Sequence, residues 1–198
     1  FGVFQTALFA KRLGYHVRLV LFDNFYFNAE EFRRNFLAYP GLETLLDELE
    51  VEYIGDRKAP LLVSPHDQSI ATVWYSAYFA DKISKLCGSQ PFLYLIQDYE
   101  SQFYPGSSLF ALSDRSYRLN FSALFSSESL KNYFVGGDIG GVASRGVHCM
   151  HFDNACSSRL PSRSDFIRSN TTKPKRRLVF YSRPVVDRNM FELTALVL

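Results

Sequence analysis

Residues 92–125 read FLYLIQDYESQFYPGSSLFALSDRSYRLNFSALF, a stretch that alternates apolar and polar segments. Its first five residues, Phe92–Ile96, are all apolar, which is typical of a strand buried on both faces of a parallel sheet. A helical pattern over residues 108–118 follows, and then a β-rich run over residues 121–125. Two strands joined by a single helix imply a right-handed crossover. The stretch therefore predicts an α/β fold with a Rossmann-like, doubly wound sheet.

The same alternation of helices and strands extends outward from this stretch. The sequence pattern predicts helices over residues 3–13, 29–36, 42–49 and 74–86. It predicts strands over residues 15–22, 51–54, 61–63 and 146–152. One doubly wound domain therefore fills most of the chain.

The composition of the chain changes near Ala155, where a polar, basic segment with serines and prolines begins. Such a segment is typical of a linker. A new strand and helix pattern follows it, as at the start of a second α/β domain. The predicted organisation is an N-terminal domain over residues 1–155, a linker over 156–175 and a truncated second domain over 176–198. Because the sequence stops within an apolar pattern, we expect a fragment of a longer protein.

The overall composition is that of a folded globular protein, with 47% hydrophobic and 21% charged residues among 198. Lys plus Arg total 22 and Asp plus Glu total 20, and the formal net charge of +2 argues against a nucleic-acid partner. The 3 cysteines form no CxxC pair and fit a reducing compartment. The sequence contains no run of ~18 apolar residues that would cross a membrane. We therefore expect a cytoplasmic location.

Polar and aromatic side chains directly follow the buried strand. Ligands of doubly wound sheets bind at the carboxyl ends of the strands. The residues after Ile96 combine two carboxylates, aromatic rings and a Gly-Ser turn, a mixture that suits a polar, ring-shaped ligand with hydroxyl groups. The members of this candidate site are Gln97, Asp98, Tyr99, Glu100, Tyr104, Gly106 and Ser107. The pattern fits equally well two solvated loop acids and a serine that only caps the next helix.

Two arginines form a second candidate site, for an anion. Arg183 and Arg188 flank the turn between a predicted strand and a helix N-terminus, where N–H and guanidinium groups can hold a diphosphate without a metal. On spacing alone, two surface arginines in a basic stretch are the stronger interpretation.

His66 lies in a predicted loop and could serve as a base or a sugar contact. A solvent-exposed histidine is the weightier interpretation there.

Several residues of metal-ligand type are crowded near the end of the first domain, but their spacing does not predict a metal site. In a strand over residues 146–152, alternate side chains point to opposite faces, and no CxxC or HxxxH pair completes four ligands. The residues concerned are His148, Cys149, His151, Asp153 and Cys156. The glycines at 136–137 and 140–141 lack the flanks of a phosphate-binding loop and indicate a flexible turn.

Three segments of the chain resemble one known family. They read ATVWYSA at residues 71–77, YLIQDYESQFYPGSSLFA at 94–111, and LVFYSRP at 178–184 with RNMFEL at 188–193. In this order they are similar to the WsaF-like rhamnosyltransferases, within the retaining family-4 glycosyltransferases. The chain departs from the family pattern at Ser101, where Pro is usual, and at Ser113-Asp114, where Ala-Glu is usual.

The resemblance implies a two-domain architecture of the GT-B type, whose N-terminal half is the acceptor-side domain and whose C-terminal domain binds the donor. The family's first strand would precede Val3. By the same resemblance, Arg183 and Arg188 contact the donor diphosphate. The catalytic candidates Asp98 and Glu100 would position the acceptor rather than attack the donor. The acceptor-side residues would be Gln97, Tyr99, Tyr104, Gly106 and Ser107.

The activity that the resemblance implies is transfer of a hexose or deoxyhexose, with rhamnose as a candidate, to a cell-surface glycan. The donor would be a nucleotide-diphosphate sugar, and no metal or other cofactor is expected. A lipid-linked acceptor would add a peripheral contact at the inner face of the membrane. This fragment alone is expected to be inactive, because most of the donor domain is missing. The alternative is a non-catalytic Rossmann-like module that binds a sugar or a nucleotide.

A substitution at Arg183 tests the donor contact in the full-length enzyme. Arg183→Ala removes a charge-assisted hydrogen bond to the leaving diphosphate and is expected to cost about 2 kcal/mol of transition-state stabilisation. That corresponds to a loss of about 30-fold in kcat/KM, measured by steady-state kinetics with varied donor. An unchanged kcat/KM would remove Arg183 from the diphosphate site.

Overall fold

The structure is a computed structural model, and it describes residues 2–21, 28–37, 42, 44–55, 60–88, 90–153, 164 and 191–197. The contact pattern divides the chain into two units, Phe1–Ala155 and Cys156–Leu198, which are described separately. The strand predicted at the start of the second domain, which the sequence pattern locates at residues 177–182, and both arginines of the candidate anion site lie outside the described residues. The division into domain, linker and second domain stays a prediction.

The first unit alternates helices and strands. Its helices are α1 (Gly2–Arg12), α2 (Ala29–Leu37), α3 (Leu45–Glu48), α4 (Trp74–Cys87), α5 (Ser108–Ser116) and α6 (Glu128–Gly136), with 3₁₀ turns at Glu100–Phe103 and Ile139–Gly141. Its strands are β1 (Arg18–Leu21), β2 (Glu50–Tyr53), β3 (Ile70–Ala71), β4 (Phe92–Ile96), β5 (Phe121–Phe125) and β6 (Cys149–His151). The second unit contributes one described helix, α7 (Phe191–Val197).

All strand pairs in the described residues are parallel. One sheet pairs β1 with β2, and a four-stranded sheet has the order β3-β4-β5-β6. Strand β4 pairs with β5 over its whole length, from Phe92 opposite Phe121 to Ile96 opposite Phe125. Parallel strands alternating with helices confirm the predicted Rossmann-like α/β class.

The main core lies between the four-stranded sheet and its helices. Consecutive parallel strands with right-handed crossovers place the connecting helices α4, α5 and α6 on one face of the sheet. The buried cluster agrees with this arrangement, since it joins alternate strand residues to residues from these helices and from the segments that follow them. Its members are Ala71, Ala77, Ala80, Phe92, Tyr94, Ile96, Tyr117, Phe121, Ala123, Phe125, Phe134 and Val142.

A second, smaller core lies beneath α1. The buried members of this cluster are Ala7, Leu8, Leu42, Leu45 and Leu49. The predicted helix over residues 42–49 is therefore right in its apolar spacing and too long, because only Leu45–Glu48 is helical. The apolar side chains still reach the core, since Leu42 is buried in the turn that precedes α3.

The predicted strand over residues 61–63 is wrong. These residues have no regular structure, and Leu62 and Val63 are exposed, so no burial favours a strand there. A turn follows immediately, in which the Asp67 carboxylate accepts a hydrogen bond from the Ser64 N–H at 2.9 Å. The strand that enters the sheet is Ile70–Ala71 instead.

The sequence pattern missed helix α6 and described the glycines after it as a flexible turn. Ser127 is the N-cap of helix α6, and its hydroxyl accepts a hydrogen bond from the Leu130 N–H at 3.2 Å. The following turn is closely packed. Gly140 has a φ of +63°, and its backbone lies against Tyr117. The Arg145 guanidinium donates hydrogen bonds to the carbonyls of Tyr117, Arg118 and Leu119, at the end of α5.

Two glycines of this turn test how tightly it packs. Gly140 and Gly146 have nearly the same φ, +63° and +64°, but a Cβ at Gly140 would lie 2.4 Å from the Tyr117 carbonyl oxygen, whereas one at Gly146 meets nothing within 4 Å. Gly146→Ala is expected to cost about 1 kcal/mol of unfolding free energy, from the left-handed backbone alone. Gly140→Ala is expected to cost about 3 kcal/mol, because backbone must also move. Equal losses in urea denaturation would contradict the close packing.

Candidate functional site

The carboxyl ends of β3, β4 and β5 are tied together by side-chain hydrogen bonds. The Gln97 amide donates to the Thr72 carbonyl at 3.4 Å, and the Ser126 hydroxyl donates to the Gln97 carbonyl at 3.2 Å. These three residues follow neighbouring strands directly. The sheet therefore gathers the residues after each strand at one edge, as the predicted fold requires.

Gln97 and Asp98 are exposed polar residues of the predicted site. Both side chains are exposed at the end of β4. One Asp98 carboxylate oxygen accepts a hydrogen bond from the Tyr99 N–H at 2.9 Å, a local contact that orients the side chain. The structure thus presents an amide and a carboxylate at the carboxyl edge of the sheet, where a ligand with hydroxyl groups can reach them.

Glu100 is held at the start of helix α4. Its carboxylate accepts a hydrogen bond from the Trp74 N–H at 2.8 Å, and its own N–H donates to the Tyr117 hydroxyl at 3.1 Å. A negative charge at a helix N-terminus interacts favourably with the helix dipole and with an N–H that has no partner within the helix. The described geometry therefore gives Glu100 a structural contact. A catalytic role for Asp98 or Glu100 stays a prediction.

An aromatic group lies beside this acid. The Trp74 indole N–H points to the Tyr104 hydroxyl at 3.4 Å, and the two ring centroids are 6.2 Å apart in an edge arrangement. Tyr75 and Tyr78 contact the same indole edge-on, at 5.5 and 6.4 Å. Because α4 begins at the carboxyl edge of the sheet, Trp74 and Tyr104 place half-buried aromatic surface next to the exposed polar residues.

Tyr99 turns toward the core. Its ring contacts Tyr117, Tyr133 and Phe134, and its hydroxyl donates to the Asp114 carboxylate at 3.4 Å. Burial, with the nearby Asp114 carboxylate, raises the pKa of Tyr99, so the hydroxyl is neutral at physiological pH. Tyr99 therefore stabilises the loop from beneath, and its predicted acceptor contact stays a prediction.

Gly106 and Ser107 form the entrance of helix α5. The Ser107 hydroxyl donates to the Tyr104 carbonyl at 2.8 Å and accepts from the Phe110 N–H at 3.2 Å. Ser107 is thus the N-cap of α5, which is the structural alternative left open by the sequence. Gly106 has a φ of +64° and an exposed backbone, and it allows the tight turn before the cap.

A buried network of hydroxyl groups supports the loop after β4. Tyr94 and Ser116 hydroxyls are 3.2 Å apart, and Ser101 and Ser113 hydroxyls are 3.3 Å apart. Burial raises the pKa of Tyr94 and of Tyr117 far above the ordinary tyrosine value, so both stay protonated. Satisfied buried networks of this kind rigidify what they contact.

The other residues that the sequence suggested for a site are not part of the carboxyl-edge group described above. His66 is exposed in a turn, and Arg183 and Arg188 lie outside the described residues. Within residues that are described, no group of three His, Cys, Asp or Glu side chains could hold a metal ion. Cys156 lies outside them, and the absence of a metal site stays a prediction. No described helix has the length and apolar character to cross a bilayer.

Sequence analysis did not single out Trp74 and Ser126 as site residues. Both follow strands that end at the same edge, β3 and β5. The signal that could have identified them is this position, since the rule that placed Gln97 applies to every parallel strand. Trp74 was missed as a site residue because the strand before it was predicted at residues 61–63, whereas β3 is Ile70–Ala71.

The fold and the edge geometry define a Rossmann-like α/β domain that presents polar and aromatic side chains at the carboxyl ends of parallel strands. The family model "WsaF, N-terminal domain" matches residues 3–128, and the chain belongs to this family. The O-antigen biosynthesis protein RfbC of Myxococcus xanthus is 30% identical over 133 residues. That match covers 64% of this chain and 9% of RfbC, so the chain spans only a small part of this relative.

Two glutamates at helix N-termini test the structural contact of Glu100. Glu100→Gln is expected to lower the unfolding free energy by about 1 kcal/mol, because the charge at the start of α4 is lost. Glu128→Gln, in the exposed first turn of α6, is the matched control, with an expected loss below about 0.5 kcal/mol. Urea denaturation of both variants measures the difference. Equal stability of Glu100→Gln and the unsubstituted chain would contradict the contact.

Proposed function

We propose that this chain is the acceptor-side domain of a glycosyltransferase that takes part in cell-surface glycan synthesis. The membership of the WsaF N-terminal domain family and the name of the relative RfbC support this class. The observation that carries the proposal is the exposed Gln97–Asp98 pair beside the Trp74–Tyr104 aromatic group at the carboxyl edge. A sugar ring needs both kinds of contact, an apolar face for its C–H groups and polar partners for its hydroxyls.

Asp98 has the central role in this proposal. Its exposed carboxylate accepts a hydrogen bond from an acceptor hydroxyl and holds that hydroxyl toward the donor. Gln97 offers an amide to a neighbouring hydroxyl, and Tyr104 and Trp74 cover a face of the ring. Glu100 keeps the start of α4 in place, so that Trp74 stays beside Asp98.

The proposed donor is a nucleotide-diphosphate hexose or deoxyhexose, with rhamnose as a candidate. Arg183 and Arg188 hold the diphosphate, so that leaving-group charge is stabilised without a metal. The donor domain belongs to the rest of a two-domain GT-B protein. We place the reaction in the cytoplasm, at the inner face of the membrane, with a growing glycan as acceptor.

The second candidate function is a module that binds a sugar without transferring it. The engagement of the Glu100 carboxylate at the start of α4 favours this candidate, since one of the two nearby acids is then occupied. Calorimetry with dTDP-rhamnose and UDP-sugars distinguishes the two candidates. Donor binding by the full-length gene product, and not by the 198-residue chain, supports the transferase, whereas binding by the 198-residue chain itself supports the module. Absence of binding by both supports a different ligand.

A substitution at Asp98 tests the acceptor role in the full-length protein. Asp98→Asn is expected to lower the transfer rate at least about tenfold, the cost of a lost charge-assisted hydrogen bond, while the donor Kd stays unchanged. Asp47→Asn, at an exposed aspartate of α3, is the matched control and should leave both quantities unchanged. Unchanged transfer by Asp98→Asn, or equal loss of transfer and donor binding, would refute the role.

A further inference from the structure

Helices α4 and α5 share an outward surface that the candidate site does not use. We name it the α4–α5 face, formed by Phe79, Lys82 and Leu86 of α4 and by Leu112 and Arg115 of α5. We infer that the α4–α5 face binds the surface of an anionic lipid bilayer. The inference rests on the proposed function for its membrane location and on exposed side chains and their charges for the surface that it names. Vesicle binding is measured without donor or acceptor, so its failure would leave the transferase activity to its own test.

The α4 side of this face is apolar where a solvated helix would be polar. Residues 79, 82 and 86 are three and four positions apart, so they lie on one side of the helix. The opposite side is the buried one, with Ala77, Ala80 and Ser84. Yet Phe79 is 44% exposed and Leu86 is 73% exposed. Large apolar side chains placed together at a surface mark interaction sites.

Helix α5 extends the same surface. The Tyr78 hydroxyl donates to the Leu112 carbonyl at 2.7 Å, which fixes the two helices side by side. Leu112 is 43% exposed. The Arg115 guanidinium lies close enough to the Tyr78 hydroxyl to affect its pKa. Burial raises the pKa of Tyr78, and the Arg115 charge offsets part of that increase. Apolar and basic side chains of both helices therefore lie within one surface.

The charges of the two helices leave a positive surplus on this face. The two acids beside it are already paired with nearby basic residues, Asp81 with Lys85 of the same helix at 2.7 Å and Asp114 with Arg118, just after α5, at 3.5 Å. Lys82 and Arg115 are exposed, and neither has an acidic partner within 4.0 Å among the residues that the structure describes. Such a face is complementary to a negatively charged surface.

An anionic bilayer fits this combination better than a second copy of the chain. In a twofold dimer through this face, Lys82 and Arg115 would meet the same positive charges of the other copy. At a bilayer, apolar side chains enter the headgroup region while Lys and Arg keep their charged ends among anionic headgroups. Interfacial helices combine Phe and Leu with Lys and Arg in this way.

Vesicle co-sedimentation of the 198-residue chain tests the inference. The probes are phosphatidylcholine vesicles that contain phosphatidylglycerol and vesicles of phosphatidylcholine alone. We expect binding to the first and at least about tenfold weaker binding to the second, because the anionic surface potential is absent there. Removing both unpaired charges by Lys82→Gln with Arg115→Gln is expected to weaken binding about 30-fold, from about 1 kcal/mol per basic residue.

A matched pair of leucine substitutions distinguishes vesicle binding through the α4–α5 face from binding through any exposed apolar side chain. Leu86→Ser is expected to weaken vesicle binding about tenfold, since a buried leucine side chain contributes about 1.5 kcal/mol or more. Leu62→Ser is the control, because Leu62 is 75% exposed and lies outside the face. Circular dichroism melting must show that each variant is folded. If Leu86→Ser is not folded, Phe79→Ser provides a second apolar variant.

Several results would overturn the inference. One is equal binding to both kinds of vesicle, and another is binding that none of the face variants changes. The latter would assign any vesicle attraction to charges elsewhere, such as the basic residues at 173–177. Self-association that Leu86→Ser abolishes, without vesicle binding, would show that the face binds a second copy of the chain.

Discussion

The backbone of β4 can satisfy its N–H and C=O groups only by pairing along both edges, because its side chains bury the strand away from water. Strand β3 supplies the short partner on one edge, and β5 supplies partners for all five residues on the other. This pairing fixes where each strand ends. The residues that follow β3, β4 and β5 are thereby brought to one edge, and the hydrogen bonds from Gln97 and Ser126 hold them there.

Contacts with the aromatic core hold the loop after β4 in place at this edge. Tyr94 stacks on Tyr117 with ring centroids 5.8 Å apart, and the Tyr117 hydroxyl accepts the N–H of Glu100. Glu100 in turn caps the helix that carries Trp74. The series of contacts from a core ring to an edge residue is therefore short, and it runs through buried and half-buried groups. A loop so supported can present side chains with little conformational freedom to lose on binding.

The central part of the fold could be predicted because its signals are local. The apolar run Phe92–Ile96 and the turns around it leave one interpretation, and the structure confirms the strand at those residues. The failures occurred where tertiary contacts decide. The sequence over 61–63 has β-formers without a burial site, and α6 is a short helix whose start depends on the Ser127 cap. The contacts of the Tyr99 ring with aromatic partners distant in sequence could not be predicted from a local pattern either, and its acceptor contact stays a prediction.

The candidate site contains two acids, Asp98 and Glu100, whose roles could not be distinguished from the sequence. Asp98 and Glu100 are two positions apart and have the same chemistry, so any pattern treats them as equivalent. Within the described part of the chain, the fold gives Glu100 a contact with a helix N-terminus and gives Asp98 a contact with the next backbone N–H. Moving the Glu100 carboxylate toward a substrate would leave the start of α4 without its partner, whereas the Asp98 carboxylate can turn without such a loss. Two similar acids thus become a supporting residue and an accessible one, and helix α4 makes that difference.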